Sequence, residues 1–195
     1  MTNIVILFFS IFFYSSFLQA KTVVLQAQQE TYFDQILQKA APEWNIIIID
    51  QKKKRTDIEK SSLINRLNPD FFLIIQLTVN AKKNPSCSFY TFAWSPTDKW
   101  PKTIDPLDFV PFFQAHYIHA HDSHKYASQL YESFKKREPS FVPTFYYECP
   151  FKPLEGIVCP ALAIELVLPS IELWNNQEPF VVQAIKTMLD SIIVR

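Results

Sequence analysis

The chain has 195 residues, 48% of them hydrophobic, and its 19 basic and 19 acidic side chains cancel to a formal net charge of zero. That balance offers no basic field to nucleic acid, and one glycine, Gly156, cannot build the multi-glycine loops that cradle nucleotide phosphates. Three cysteines, Cys87, Cys149 and Cys159, are too few for a disulfide framework and allow at most one pair beside a free thiol.

Residues 1–20, MTNIVILFFSIFFYSSFLQA, carry an apolar core from Ile4 to Leu18 and end in the small residue Ala20. This is the pattern of a secretory signal peptide cut after Ala20. The core is short beside the roughly 20 apolar residues of a membrane span. No Lys or Arg precedes it, so an uncleaved anchor is the competing reading. The expectation is export to the periplasm or cell envelope, with residues 21–195 as one domain and no membrane span after cleavage.

Residues 21–27, KTVVLQA, read as a strand, and 30–40 as a helix with Phe33, Ile36 and Leu37 on one face. WNIIIID, 44–50, is apolar enough to predict a central strand, and the charged run QKKKRTD, 51–57, a solvated loop. A short helix over 58–67 ends at Asn68-Pro69, followed by a buried strand over 70–77. Strand, helix, strand, helix, strand is the order of a parallel sheet with crossover helices. CSFYTFAW, 87–94, predicts a further strand near an edge, and 95–122 reads as irregular. Tyr126, Leu130 and Phe134 recur at helical spacing within 123–137, with Asp122 or Ser123 as the cap. A second irregular stretch holds the aromatic tract PTFYYECPF, 143–151, which either lines a sugar-binding groove or covers a core. Residues 178–194 close the chain as a helix with Phe180, Ala184, Met188 and Ile192 in one stripe.

Between these lies CPALAIELVLPS, 159–170, an apolar strand with one carboxylate, Glu165, in its middle. Burying an unpaired carboxylate costs several kcal/mol, by order of magnitude, unless it is hydrogen-bonded or neutralised. Glu165 is therefore either a structural partner of a Lys or Arg, or a functional group facing a cleft at the strand's carboxyl end.

Three segments, KTVVLQA, INRLNPDFFLIIQLTVNA (64–81) and PLEGIVCPALAIELVLPSIEL (153–173), resemble in order and spacing the zinc-dependent N-acetylmuramoyl-L-alanine amidases of bacterial cell walls. The resemblance implies a single-domain α/β fold: a mostly parallel sheet with helices on both faces. In that family two His and one Glu hold zinc, and a second Glu takes a proton from the metal-bound water. Zinc with three protein ligands and an open position lowers its water's pKa to about 7 and polarises the amide carbonyl. By the resemblance Glu165 falls on the second Glu, the candidate catalytic residue. The positions matching the two ligand histidines hold Gln29 and Gln76, and a neutral amide is a poor zinc ligand beside imidazole. Glu30 and Asn80 are candidates to line the same pocket, with Glu30 a possible stand-in ligand. The Glu-Leu-Gly-Phe motif also becomes Glu165-Leu166-Val167-Leu168.

All four histidines, His116, His119, His121 and His124, fall in one tract with Asp122. Such spacings occur in metal sites, but a polar loop leading into a helix explains them as well. The resulting expectation is a zinc-less pseudo-amidase of the cell envelope, without cofactor, that binds peptidoglycan or its fragments. The alternative is an active metal-dependent amidase hydrolysing the muramoyl–L-alanine amide with rebuilt ligands, drawn from Glu30 or the histidine tract. A third possibility places the function in 95–122.

Overall fold

A computed structural model describes residues 21–27, 33–49, 55–92, 112–136, 143–149 and 151–193. The expected signal segment, the 28–32 loop with Gln29 and Glu30, the charged run 51–54 and residues 93–111 lie outside the described residues.

Six strands form one sheet: β1 (Lys21–Ala27), β2 (Trp44–Ile48), β3 (Phe71–Val79), β4 (Ser86–Phe92), β5 (Pro143–Cys149) and β6 (Ala161–Leu168), in the order β2-β1-β3-β6-β4-β5. Every neighbouring pair is parallel except β4 with β6. The helices are α1 (Phe33–Ala40), α2 (Asp57–Leu67), α3 (Ala120–Lys135) and α4 (Ile171–Ile193), with a 3-10 segment, Phe112–His119, leading into α3. This is the expected mostly parallel α/β sheet. No helix among the described residues is long and apolar enough to cross a membrane.

Alternation along the strands gives the sheet two faces. On the first, Val23, Leu25, Phe71, Leu73, Ile75, Cys87, Phe89, Leu162, Ile164, Leu166 and Leu168 form one large core with α1, α3 and α4. Tyr126, Leu130 and Phe134 of α3 are buried in it, as their spacing predicts. The Phe134 ring packs edge-on against Phe89 and Phe180, with centroids 5.3 Å and 4.7 Å apart. The second face is smaller: Val24, Phe72, Ile74, Ala161 and Ala163 pack with Ile64 of α2 and with Leu154, Ile157 and Cys159.

Local signals explain most boundaries. Thr56 and Glu59 form a reciprocal capping box at the start of α2, which ends on Asn68 in the left-handed region at φ 45°. Asn65 of α2 reaches across to the loop before β6: its Nδ2 donates to the Gly156 carbonyl (2.8 Å) and its Oδ1 accepts from the Val158 N–H (3.0 Å). Gly156 sits at φ 74°, a conformation costly for other residues, so the chain's single glycine serves this turn.

Four expectations need correction. β2 is an edge strand, not a central one: Ile46 and Ile47 are only half-buried and Ile48 is 43% exposed. Residues 143–149 are a strand, β5, at the opposite edge. α3 begins at Ala120 rather than 123, and His119 precedes it without a side-chain cap. Ser123 lies within the helix, where its buried hydroxyl donates to the His119 carbonyl (3.0 Å) and accepts from the Ala161 N–H (2.9 Å), tying α3 to β6. α4 starts at Ile171, with Ser170 Oγ accepting from the Leu173 N–H (3.4 Å), and carries Pro179 inside it.

Candidate functional site

The second face changes character partway along the strands. Phe72 and Ile74 of β3 and their partners Ala161 and Ala163 of β6 are buried. At the next pair on that face the partners are Gln76 and Glu165, both half-buried. Register partners on adjacent strands lie about 4.8 Å apart with side chains on the same side. Beyond them Thr78 is exposed, and Ser86 and Ser88 of β4, opposite Val167 and Glu165, are half-buried. A polar shelf thus begins at the Gln76–Glu165 rung.

Glu165 is neither a buried orphan nor the partner of a Lys or Arg among the described residues. The Tyr90 hydroxyl, from β4, donates to Glu165 Oε2 at 2.8 Å. Tyr90 is paired in register with Ala163, whose small side chain leaves room on that face for the phenol to lie towards Glu165. The Tyr90 ring stacks on Phe151, with centroids 5.0 Å apart and planes 16° from parallel. Phe151 opens the 151–158 loop that Asn65 holds. Helix α2 therefore fixes the loop, the loop carries Phe151, Phe151 backs Tyr90, and Tyr90 orients the carboxylate.

The rung is not at the strand mouths. β3 and β6 run on as partners through Leu77–Leu166, Thr78–Val167 and Val79–Leu168. This corrects the expectation that both positions end their strands. Asn80 lies four residues past Gln76, about 13 Å along the strand. Its N–H donates to the Leu168 carbonyl and its Oδ1 accepts from the Lys82 N–H, so it closes a turn and is not brought to Glu165. Gln29 and Glu30 follow β1 in the sequence and lie outside the described residues. Gln26, which the sequence reading passed over, points to the same face as Gln76, and its Oε1 is buried with no hydrogen-bond partner. Tyr90 was also missed. Its alternation with Ser88 and Phe92 marks a face, but only the antiparallel register of β4 on β6 brings it to Glu165.

The histidine tract is ordered rather than a polar loop. His116 is buried, its ring centroid 4.0 Å from that of Phe92 and 4.2 Å from that of Tyr117. His119 is half-buried, and burial holds its imidazole below the ordinary range against the opposing pull of Asp122. His121 is exposed and His124 half-buried on α3. Among the described residues no group of three or more His, Cys, Asp or Glu is placed to hold a metal ion.

The cysteines offer no nucleophile. Burial, then the Glu165 carboxylate, pushes the Cys87 thiol well up; burial, then Asp70, raises Cys159 to about 12; burial raises Cys149. Thiols held protonated are inert. All three are free, and Cys87 and Cys159 sit in cores on opposite faces of the sheet, which rules out a bridge between them.

Comparison with protein-family models and with curated sequences returns no match. Comparison with solved structures returns N-acetylmuramoyl-L-alanine amidases among its matches. An N-acetylmuramyl-L-alanine amidase from Mycobacterium abscessus matches at TM-score 0.58 with 10% identity, covering 89% of this chain and 98% of the other. One from Nostoc punctiforme matches at 0.57 with 8% identity over 91% and 99%. One from Clostridium difficile 630 matches at 0.56 with 11% identity over 88% and 96%. At such identities the likeness is one of fold: the chain has the α/β fold of the N-acetylmuramoyl-L-alanine amidases, and nearly their whole length is represented.

Proposed function

We propose that this chain is an exported cell-envelope protein that uses the amidase fold to bind peptidoglycan without hydrolysing it. The observation that carries this reading is the Gln76–Glu165 rung. A hydrolytic zinc needs about three protein ligands, mostly imidazole or carboxylate. The described residues at the rung supply one carboxylate, already accepting from a phenol, and primary amides from Gln76 and Gln26. This donor set does not fit zinc. The matching position after β1 is Gln29, also an amide.

The same groups suit recognition. A carboxylate held by Tyr90, the Gln76 amide and the Ser86, Ser88 and Thr78 hydroxyls place acceptors and donors side by side on one face, and the N-acetylmuramoyl-L-alanine amidase activity named for the solved relatives makes peptidoglycan the ligand class of choice. Residues 1–20 serve export, with cleavage after Ala20; N-terminal sequencing of protein recovered from the envelope reads the cut directly.

The deciding experiment incubates purified protein with insoluble peptidoglycan, with and without added zinc, then measures co-sedimentation and released stem peptide by mass spectrometry. The proposal expects co-sedimentation and no release under either condition. Release that chelator and Glu165→Gln both abolish would establish the rival reading, an amidase with rebuilt ligands. Absence of both binding and release would remove peptidoglycan as the ligand.

A further inference from the structure

We infer that the Gln76–Glu165 rung is an ammonium-recognition site, and that in peptidoglycan its target is the free side-chain amine of a stem-peptide diamino acid; only the second half rests on the proposed function.

The inference comes from counting donors and acceptors. An ionised carboxylate has about four acceptor sites and no donor. Glu165 is half-buried, and among the described residues its hydrogen-bond donor is a neutral hydroxyl, that of Tyr90. No Lys, Arg or His among the described residues forms an ion pair with it. Next to it Gln76 brings an amide oxygen. Gln26, one strand further and diagonal to Gln76, keeps a buried Oε1 with no partner; diagonal neighbours on a sheet lie about 7–8 Å apart. Among the described residues the face therefore holds one carboxylate with no cationic partner and a second acceptor with no donor.

Each ligand class meets this differently. An anionic group is repelled by Glu165. A sugar's hydroxyls bring donors and acceptors together and leave the charge unmatched. A primary ammonium brings three donors and one positive charge, and a charge-assisted bond to a carboxylate is about twice as strong as a neutral one. The stacked pair of Tyr90 and Phe151 supplies an apolar wall beside the carboxylate, suited to the methylene stem that carries such an amine.

Calorimetric titration of the full chain tests this with four probes: the stem tripeptide N-acetyl-L-Ala-γ-D-Glu-L-Lys, whose only amine is the lysine Nε, the same peptide acetylated also at that Nε, an N-acetylglucosamine–N-acetylmuramic acid disaccharide without peptide, and N-acetyl-lysine methylamide. The free-amine tripeptide is expected to bind at least about tenfold more tightly than its acetylated form. Glu165→Gln, which keeps the side chain's shape, should erase that difference. Equal binding of the two tripeptides, or preference for the disaccharide, overturns the ammonium site while leaving peptidoglycan binding intact. Binding of N-acetyl-lysine methylamide alone, lost in Glu165→Gln, supports the site and removes the stem peptide as its ligand. No binding by any amine-bearing probe overturns the inference. The comparison of free with acetylated ligand needs no variant, so a misfolded mutant cannot obscure it.

Discussion

The two faces of the sheet are made by alternate residues of the same strands, yet they end differently. On the first face burial runs to the end of β6: Ile75 and Leu166 are buried, and Leu168, the last residue of β6, is fully so beneath α3 and α4, while on β3 Leu77 is half-buried and Val79 exposed. On the second face it is interrupted after Ile74 and Ala163 by the polar pair Gln76 and Glu165, with the buried Val167 of β6 beyond them beside Thr78 and Ser86. Stability is invested in the first face. The second replaces a continued core with a polar rung whose carboxylate, Glu165, is held by a chain of contacts running back to Asn65.

The sharpest way to break this contrast is to cut into each face at the same depth. Leu166→Ala opens a cavity in the large core and should cost about 2–5 kcal/mol, whereas Thr78→Ala, on the exposed shelf, should stay within about 0.5 kcal/mol. Chemical denaturation of the two variants measures both, and similar losses would mean that the shelf is as structural as the core.

A smaller effect is expected from Asn65→Ala. It removes two hydrogen bonds to the 156–158 turn, and leaving that backbone unpaired should cost about 1–3 kcal/mol. Because the turn is linked to Phe151, Tyr90 and Glu165, amide exchange should quicken in 151–158 and ligand affinity should fall. A stability loss with unchanged affinity would show that the loop does not position the site.

The smallest effect is on pH dependence. Burial depresses the folded-state pKa of His119 below its ordinary 6.5, so the folded form disfavours the proton. Its contribution to stability is present above 6.5 and is lost as pH falls through the lowered folded value. Thermal melts at about pH 7 and about pH 5 should therefore show a steeper decline for the wild type than for His119→Gln. Parallel declines would place the proton-linked loss elsewhere, away from the entry to α3.

How far the sequence revealed these faces depends on which forces set each element. Periodicity identified β1, β3 and β6 and the buried stripes of α3 and α4, because burial alone dictates those patterns. It misplaced β2, since an apolar run does not say whether a strand is paired on one side or two. It missed β5, whose Pro143 argues against a ladder position that an edge tolerates. It began the closing helix at residue 178, whereas α4 begins seven residues earlier at Ile171, where Ser170 supplies the cap. Ser123 looked like a cap and is instead a tether to β6, a long-range bond that no local pattern announces.

For the site, the resemblance singled out Gln76 and Glu165, and the structure makes them register partners on β3 and β6. Tyr90 and Gln26 were invisible because their relevance comes only from strand order, and Asn80 drew attention through proximity in sequence while the strand carried it away. The four histidines were conspicuous by clustering, yet their placement along a 3-10 segment and helix spreads them between a buried aromatic niche and an exposed surface.

The central claim is that Glu165 works on this shelf without zinc. The most direct test is the metal content of the purified full chain by plasma mass spectrometry, beside Glu165→Gln and a variant with His116, His119, His121 and His124 all replaced by Ala. The account predicts far less than one zinc per chain in all three proteins. About one zinc per chain in the wild type, reduced in either variant, would contradict it and return the chain to the metal-dependent amidases.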